Sequence, residues 1–237
     1  MNTTAPTDLL HPFGPHIWLA DGGAIVAMAG FHYPTRMVVI RLADGGLWVW
    51  SPIALSDALR TQVAALGPVA HLVAPNDLHH MFLLDWIAAF PGACVHAAPG
   101  LREKRADLVI DTVLGNDPPN DWQGQIDQVA IRGNKITTEV VFRHRASGTV
   151  LFTDLLQQMP RGWYRGWRAL VARLDLMTGD EPAVPRKFRM AFSDKPSARR
   201  ALDRILAWPV RAVVMAHGTP VTADAPGFLR RAFAWLM

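Results

Sequence analysis

The chain has 237 residues, half of them apolar and 19% charged, which excludes a disordered chain and leaves room for one large hydrophobic core. Its single cysteine, Cys94, excludes an intrachain disulfide and a cysteine-rich zinc site, so any metal must be held by histidines and carboxylates. A net charge of +4 favours an anionic ligand only weakly and excludes no class of partner.

Residues 1–12 lack a basic stretch followed by an apolar one, and no apolar run reaches the ~20 residues of a transmembrane helix. The expectation is a protein of the cytoplasm with no transmembrane segment. Short apolar runs then alternate with glycine-rich breaks: His16 to Leu19, Ala24 to Met28, Met37 to Leu42 and Leu47 to Trp50, with Asp44-Gly45 as a hairpin signal. This pattern predicts an antiparallel meander. Ser56 follows as an N-cap, with Leu59, Val63 and Leu66 at helical spacing and Gly67-Pro68 as the stop.

Val69 to Ala74 reads as a buried strand, and Phe82, Leu83, Trp86, Ile87 and Phe90 form the stripe of a helix ending at Pro91-Gly92. Between them lies Pro75-Asn76-Asp77-Leu78-His79-His80. Adjacent histidines diverge by about 100° in a helix but can converge at a strand-to-helix turn, and the carboxyl ends of strands are where ligand loops collect. The pair therefore admits a metal corner, or a cap beside a solvated side chain. Val95 to Ala98 reads as a further strand and Asp107 to Trp122 as a loop region. Ile126 to Ile131, Thr137 to His144 and Thr149 to Thr153 read as three more strands, with hairpin turns at Gly133-Asn134 and Ser147-Gly148, and Asp154 follows. After a tryptophan- and arginine-rich stretch and a linker from Gly179 to Pro185 come a helix over Ser197 to Trp208 and a strand over Val210 to Met215. That strand delivers Ala216-His217-Gly218, and a helix over Pro226 to Met237 ends the chain. The order predicts an α/β (α+β) αββα sandwich, one domain over 1–237 in two β-rich halves, about 1–105 and 106–237. His11, His16, His32, His71, His96 and His144 read as packed, surface or strand-end residues.

A histidine turn after an early strand, an aspartate after a later one and a glycine-flanked histidine after the last resemble the metallo-β-lactamase superfamily, over nearly the whole chain. The resemblance is to a divergent branch in which a Pro-Asn-x-x-His-His turn replaces His-x-His-x-Asp-His, whose positions fall on Pro75, Asp77, His79 and His80. It implies a four-layer sandwich, with Asp154 as the bridging aspartate and His217 as the last metal histidine. The superfamily's first metal would need a ligand at Pro75 and another near Gly133-Asn134-Lys135. Proline has no ligand atom and protonated lysine is a poor ligand, so that site is expected to be lost. What remains is one divalent ion, zinc in preference to iron, held by His79, His80, Asp154 and His217. Such an ion can lower the pKa of a bound water toward ~7, with Asp77 as proton acceptor. Asn76 would orient Asp77 or a substrate oxygen, or form an ordinary Asx turn.

The resemblance thus implies a metallo-hydrolase with a mononuclear site, acting on a small, anionic ester, lactone or related substrate. The alternatives are an inactive binding protein of the same fold and a nuclease or phosphodiesterase. The nuclease reading uses Arg161 to Arg168, where arginines interleave with Trp163, Tyr164 and Trp167 as in segments that stack bases and neutralise phosphates. A lid over the site, a membrane-surface patch and a helix packed on the sandwich suit the same segment, and nucleic acid is not the favoured partner.

Overall fold

The computed structural model describes residues 9–237; the first eight residues of the amino-terminal stretch lie outside it. Two sheets face each other. The first has seven strands in the order of the chain: β1 (His11–Gly14), β2 (Ile17–Val26), β3 (His32–Arg41), β4 (Leu47–Trp50), β5 (Val69–Ala74), β6 (Cys94–Ala97) and β7 (Thr112–Val113). Strands β1 to β4 pair antiparallel, as the meander predicts, and β4 to β7 run parallel. The second sheet holds β8 (Ile126–Ile131), β9 (Glu139–His144), β10 (Thr149–Gln157) and β11 (Ala212–His217) in the order β11-β10-β9-β8.

Strand alternation builds the layers. Val38 and Ile40 of β3 point with Trp48 and Trp50 into a core between the sheets, where they meet Phe142, Leu151 and Val214 from the second sheet. Their neighbours Met37, Val39, Leu47 and Val49 face the opposite way, onto Leu59 and Val63 of α1 (Asp57–Leu66) and Leu83 and Trp86 of α2 (Leu83–Ala89). On the far side, Val150, Phe152, Val213 and Met215 pack against α5 (Arg186–Ala191), α6 (Lys195–Leu206) and α7 (Ala225–Phe233). The result is the four-layer αββα sandwich expected from the sequence. Leu101 of α3 (Leu101–Lys104) joins the same layer as α1 and α2, whereas α4 (Trp167–Leu174) packs through Ala172 in a separate small cluster with Met159, Tyr164 and Met177.

Local chemistry fixes the element ends. The Ser56 hydroxyl accepts from the Leu59 N–H at 3.1 Å to cap α1, and Gly67 ends it where a Cβ would stand 2.6 Å from the Gly45 carbonyl oxygen. Asp194 caps α6 through the Ser197 N–H at 3.0 Å. His71 of β5 and His96 of β6 are core residues, with His71 Nδ1 3.1 Å from His96 Nε2 and both rings edge-on to Trp122.

Two expectations need correction. The two apolar runs His16 to Leu19 and Ala24 to Met28 belong largely to one strand, β2, which is continuous because a bulge between Gly22 and Ile25 absorbs the glycines. Gly133-Asn134 is not a tight hairpin turn: the β8–β9 connection is longer and is tied sideways, with the Gly133 carbonyl accepting from the Ser193 N–H at 2.8 Å. Helix α5 follows directly on the linker ending at Pro185, its proline at the N-cap. No described helix is long and apolar enough to cross a membrane.

Candidate metal centre

The turn after β5, an irregularity within β10 and the end of β11 meet at one edge of the sandwich. His79 lies in the turn after β5, Asp154 lies within β10 where pairing to β11 breaks between Phe152 and Gln157, and His217 is the last residue of β11. Asp154 is thus inside a strand, at an irregularity that lets its side chain leave the ladder pattern. Their ligand atoms all lie within 4.8 Å of one another, the one group of three or more metal-binding side chains of this kind among the described residues. His79 Nε2 is 3.2 Å from Asp154 Oδ2, and His217 Nε2 is 3.6 Å from Asp154 Oδ1.

The outer nitrogens are held as well. His217 Nδ1 donates to the Pro34 carbonyl at 2.7 Å, which leaves the Nε2 lone pair directed at the group. His79 Nδ1 is 2.8 Å from the Ser51 hydroxyl. Ser51, directly after β4, adopts a left-handed backbone with φ of 50°, and its N–H donates to the Val73 carbonyl at 2.9 Å. Such strain in a non-glycine residue persists where the surroundings over-determine it. Two imidazole lone pairs facing a carboxylate form a donor set that suits a divalent cation such as zinc. Burial alone would raise the Asp154 carboxyl, but hydrogen bonding and charge from His217 and His79 hold it well below the usual carboxylate range. Burial also pushes His79 toward its neutral, ligand-competent form, with Asp154 opposing.

Further residues fix the aspartate. Asn76, fully buried, donates from Nδ2 to Asp154 Oδ2 at 2.7 Å and to the Thr153 hydroxyl at 2.9 Å. Its Oδ1 accepts from the Leu78 and His79 N–H groups at 2.9 and 3.0 Å, so one side chain both forms the Asx turn and orients Asp154. Gln157 Nε2 donates to Asp154 Oδ1 at 3.1 Å. Beneath them the fully buried Glu139 accepts from the Thr153, Asp154 and Leu155 N–H groups at 2.7, 2.9 and 3.0 Å. Burial and the Asp154 charge push the Glu139 carboxyl up to about 7, against the pull of these N–H bonds. Arg36 bonds the Met215 carbonyl at 2.9 Å and the Gly218 carbonyl, bracketing His217. Ser51, Glu139, Gln157 and Arg36 are absent from the expectations based on sequence.

Two expected site residues stand apart. His80 does not join the group; its Nδ1 accepts from Arg105 at 2.8 Å, and burial, Lys104 and Arg105 all lower its affinity for a proton. Asp77 is likewise occupied elsewhere: Oδ1 accepts from the Thr137 hydroxyl, Oδ2 lies 3.5 Å from Lys104 Nζ, and Lys104 also donates to the Asp77 carbonyl at 2.7 Å. Pro75 contributes its carbonyl, which accepts from the Val140 N–H at 2.8 Å and joins the two sheets.

A cavity of about 550 Å³ opens onto His79, Asp154 and His217. Its walls are mainly apolar, from the β2–β3 connection and α4, with Lys187 and Tyr33 as the polar pair: Lys187 Nζ donates to the Tyr33 hydroxyl at 3.1 Å. The arginine and tryptophan segment borders this region. Trp163 Nε1 and the Tyr164 hydroxyl donate to the His32 carbonyl at 2.8 and 2.7 Å, and Arg161 pairs with Asp180 at 2.6 Å.

Two sheets between helix layers, with histidines and an aspartate gathered at one edge, define a protein of the metallo-β-lactamase fold. The metal-soaked Flv1 flavodiiron core from Synechocystis sp. PCC6803 is similar over 98% of this chain and 61% of its own, at 12% identity and a TM-score of 0.66. The chain therefore spans about three fifths of that core. A metallo-β-lactamase from Pontibacter korlensis matches at 13% identity over 96% of this chain and 98% of its own, with a TM-score of 0.63. The mono-zinc form of FIM-1 from Pseudomonas aeruginosa gives 11%, 96%, 95% and 0.63 for the same measures. Likeness at these identities is likeness of fold. The chain belongs to the family described as a domain of unknown function, DUF4336, whose model matches residues 16–165 and so takes in His79 and Asp154. No curated protein matches it in sequence.

Proposed function

We propose that this protein is a metal-dependent hydrolase with a mononuclear site formed by His79, Asp154 and His217, taking zinc in preference to iron. The turn Pro75 to His80 marks a branch of the superfamily that keeps half of the two-metal set, and the whole chain acts as one domain. The observation that carries the reading is the convergence of three donor atoms within 4.8 Å, two of them on imidazoles whose other nitrogens are already bonded. A structure of the same fold, FIM-1, is described in a mono-zinc form, which supports a single-ion arrangement in this architecture.

A divalent ion in such a site supplies Lewis acidity and lowers the pKa of a bound water. The chain's own residues do the rest. Asn76 and Gln157 hold the Asp154 carboxylate, with Glu139 fixing its backbone. Asp77 is engaged by Thr137 and Lys104, and Asp154, held well below the usual carboxylate range, would serve as a ligand that orients an attacking water by accepting a hydrogen bond from it. The apolar walls exclude bulk water, and Lys187 with Tyr33 can meet a developing or existing negative charge on a small ester or lactone.

The test is zinc loading followed by metal analysis and a panel of esters, lactones, thioesters and phosphodiesters. About one zinc per chain, lost in His217→Ala, with ester or lactone turnover that follows zinc content, is expected. Wild-type protein that retains no zinc refutes the site, and zinc-replete protein inert across the panel refutes the hydrolase and favours a binding protein.

A further inference from the structure

The cavity above the three metal-binding side chains is unlike its surroundings. Its floor is polar, with His217, Asp154 and the Lys187–Tyr33 pair, and the Tyr33 and His217 rings lie 5.3 Å apart. Its walls and mouth are hydrocarbon. Among the lining side chains Val26 is 71% exposed and Met28 90% exposed, and Met81 and Val171 of α4 are exposed as well, which marks them as the mouth. A monomeric surface rarely holds such a cluster of exposed aliphatic side chains, and here it rims a concavity rather than a flat patch. The volume of about 550 Å³ falls within the range of sites that bury most of a small molecule.

We infer that the substrate is an acyl compound with an unbranched hydrocarbon tail, the tail lying between Met28 and Val171 and the carbonyl or carboxyl end meeting Lys187 and Tyr33 beside His217. This rests on the hydrolase reading and adds the substrate's chemistry to it. A tail seated there covers Val26, Met28 and Val171 together, and each buried CH₂ contributes about 0.8 kcal/mol. The cation at the floor sets polarity: Lys187 Nζ is 3.7 Å from Asp175 Oδ2, so it is held in place by a carboxylate while keeping its donors to Tyr33 and to a ligand oxygen. The same wall fits neither a polar sugar nor a nucleotide, whose hydroxyls and phosphates would face aliphatic carbon without partners.

Calorimetric binding of butanoate, hexanoate, octanoate and decanoate, each below its micelle-forming concentration, tests this on protein with and without zinc. The expected result is an affinity that rises about threefold to fourfold per added CH₂ in both forms, from the transfer value above. Val171→Asp, and independently Met28→Asp at the most exposed position of the mouth, flatten that slope while leaving zinc stoichiometry unchanged. Lys187→Met weakens every member about tenfold and keeps the slope. A slope of zero, or a slope that neither aspartate variant alters, overturns the inference. So does binding to anionic phospholipid vesicles without binding of monomeric decanoate, or a dimer that Val171→Asp splits; these would assign the patch to a membrane surface or to a second copy. A slope in a protein that hydrolyses no ester sustains the tail site and removes the hydrolase, whereas ester hydrolysis with no slope does the reverse.

Discussion

Glu139→Gln probes the support beneath Asp154 with almost no change in volume. The carboxylate accepts three backbone N–H bonds, one at Oε1 from Thr153 and two at Oε2 from Asp154 and Leu155. An amide keeps one acceptor. If its NH₂ replaces Oε2, two buried donors face a donor; if the amide flips, only the Thr153 N–H does. The flipped form sacrifices fewer bonds, and one unsatisfied buried donor costs about 1–3 kcal/mol, but the amide also removes the charge whose burial raises the Glu139 carboxyl, so the two effects offset and the net change in stability is small. Measured by urea unfolding of metal-free protein at pH 8, above the value of about 7 to which burial raises Glu139, the midpoint should move little and the m-value should be unchanged. Metal-free protein keeps zinc binding from masking the change. Because Asp154 then loses its fixed backbone, a competition titration should show zinc affinity about 10- to 100-fold weaker, the usual effect of removing an outer partner of a ligand. Unaltered zinc affinity would refute the argument.

The remaining predictions concern neighbouring groups. His79→Ala and His217→Ala should each lose zinc on dialysis while His80→Ala retains it, since the His80 ring is bonded to Arg105; metal analysis decides, and loss in His80→Ala as well would contradict the geometry. Ser51→Ala removes the partner of His79 Nδ1 and should weaken zinc about tenfold without altering stoichiometry in excess metal. His96 contributes to acid stability: burial first, then His71, pushes it down to about 4, with Asp121 and Asp111 opposing and the Trp122 ring against it. Its folded value lies below the unfolded 6.5, so its contribution is complete above pH 6.5 and falls away toward pH 4, by up to about 3 kcal/mol. Urea midpoints between pH 7 and 4.5 should therefore drop more steeply in wild type than in His96→Leu, and identical slopes would rule His96 out.

Residues whose role is set by strand position could be read from the sequence. Val38, Val39 and Ile40 marked β3, the apolar run to Ala74 marked β5, and the strand ending at His217 marked β11, because burial on both faces requires continuous apolar runs. The strand pattern placed His79, Asp154 and His217 after strands, but joining them in one metal site came from the resemblance to the metallo-β-lactamase superfamily. It could not separate His79 from His80, because the direction of each side chain depends on which N–H groups Asn76 Oδ1 accepts. Met28 was misplaced in a strand for a related reason: the turn Met28–Gly30 ends β2 through Ala29, which takes a left-handed conformation that no pattern of apolar residues announces.

Glu139 shows where such reading stops and also what it overlooked. Its partners are backbone N–H groups, which every residue but proline offers, so no pair of side chains in the sequence advertises the contact. Yet a lone carboxylate among Thr137, Thr138, Val140 and Val141, on a strand that otherwise reads as buried, carries a signal of its own. Burying that charge is costly unless several donors meet it, and a strand end that gathers donors is a strand end under construction for something else. Here those donors belong to Thr153, Asp154 and Leu155, so the anomalous glutamate points to the aspartate at the centre of the proposed metal site.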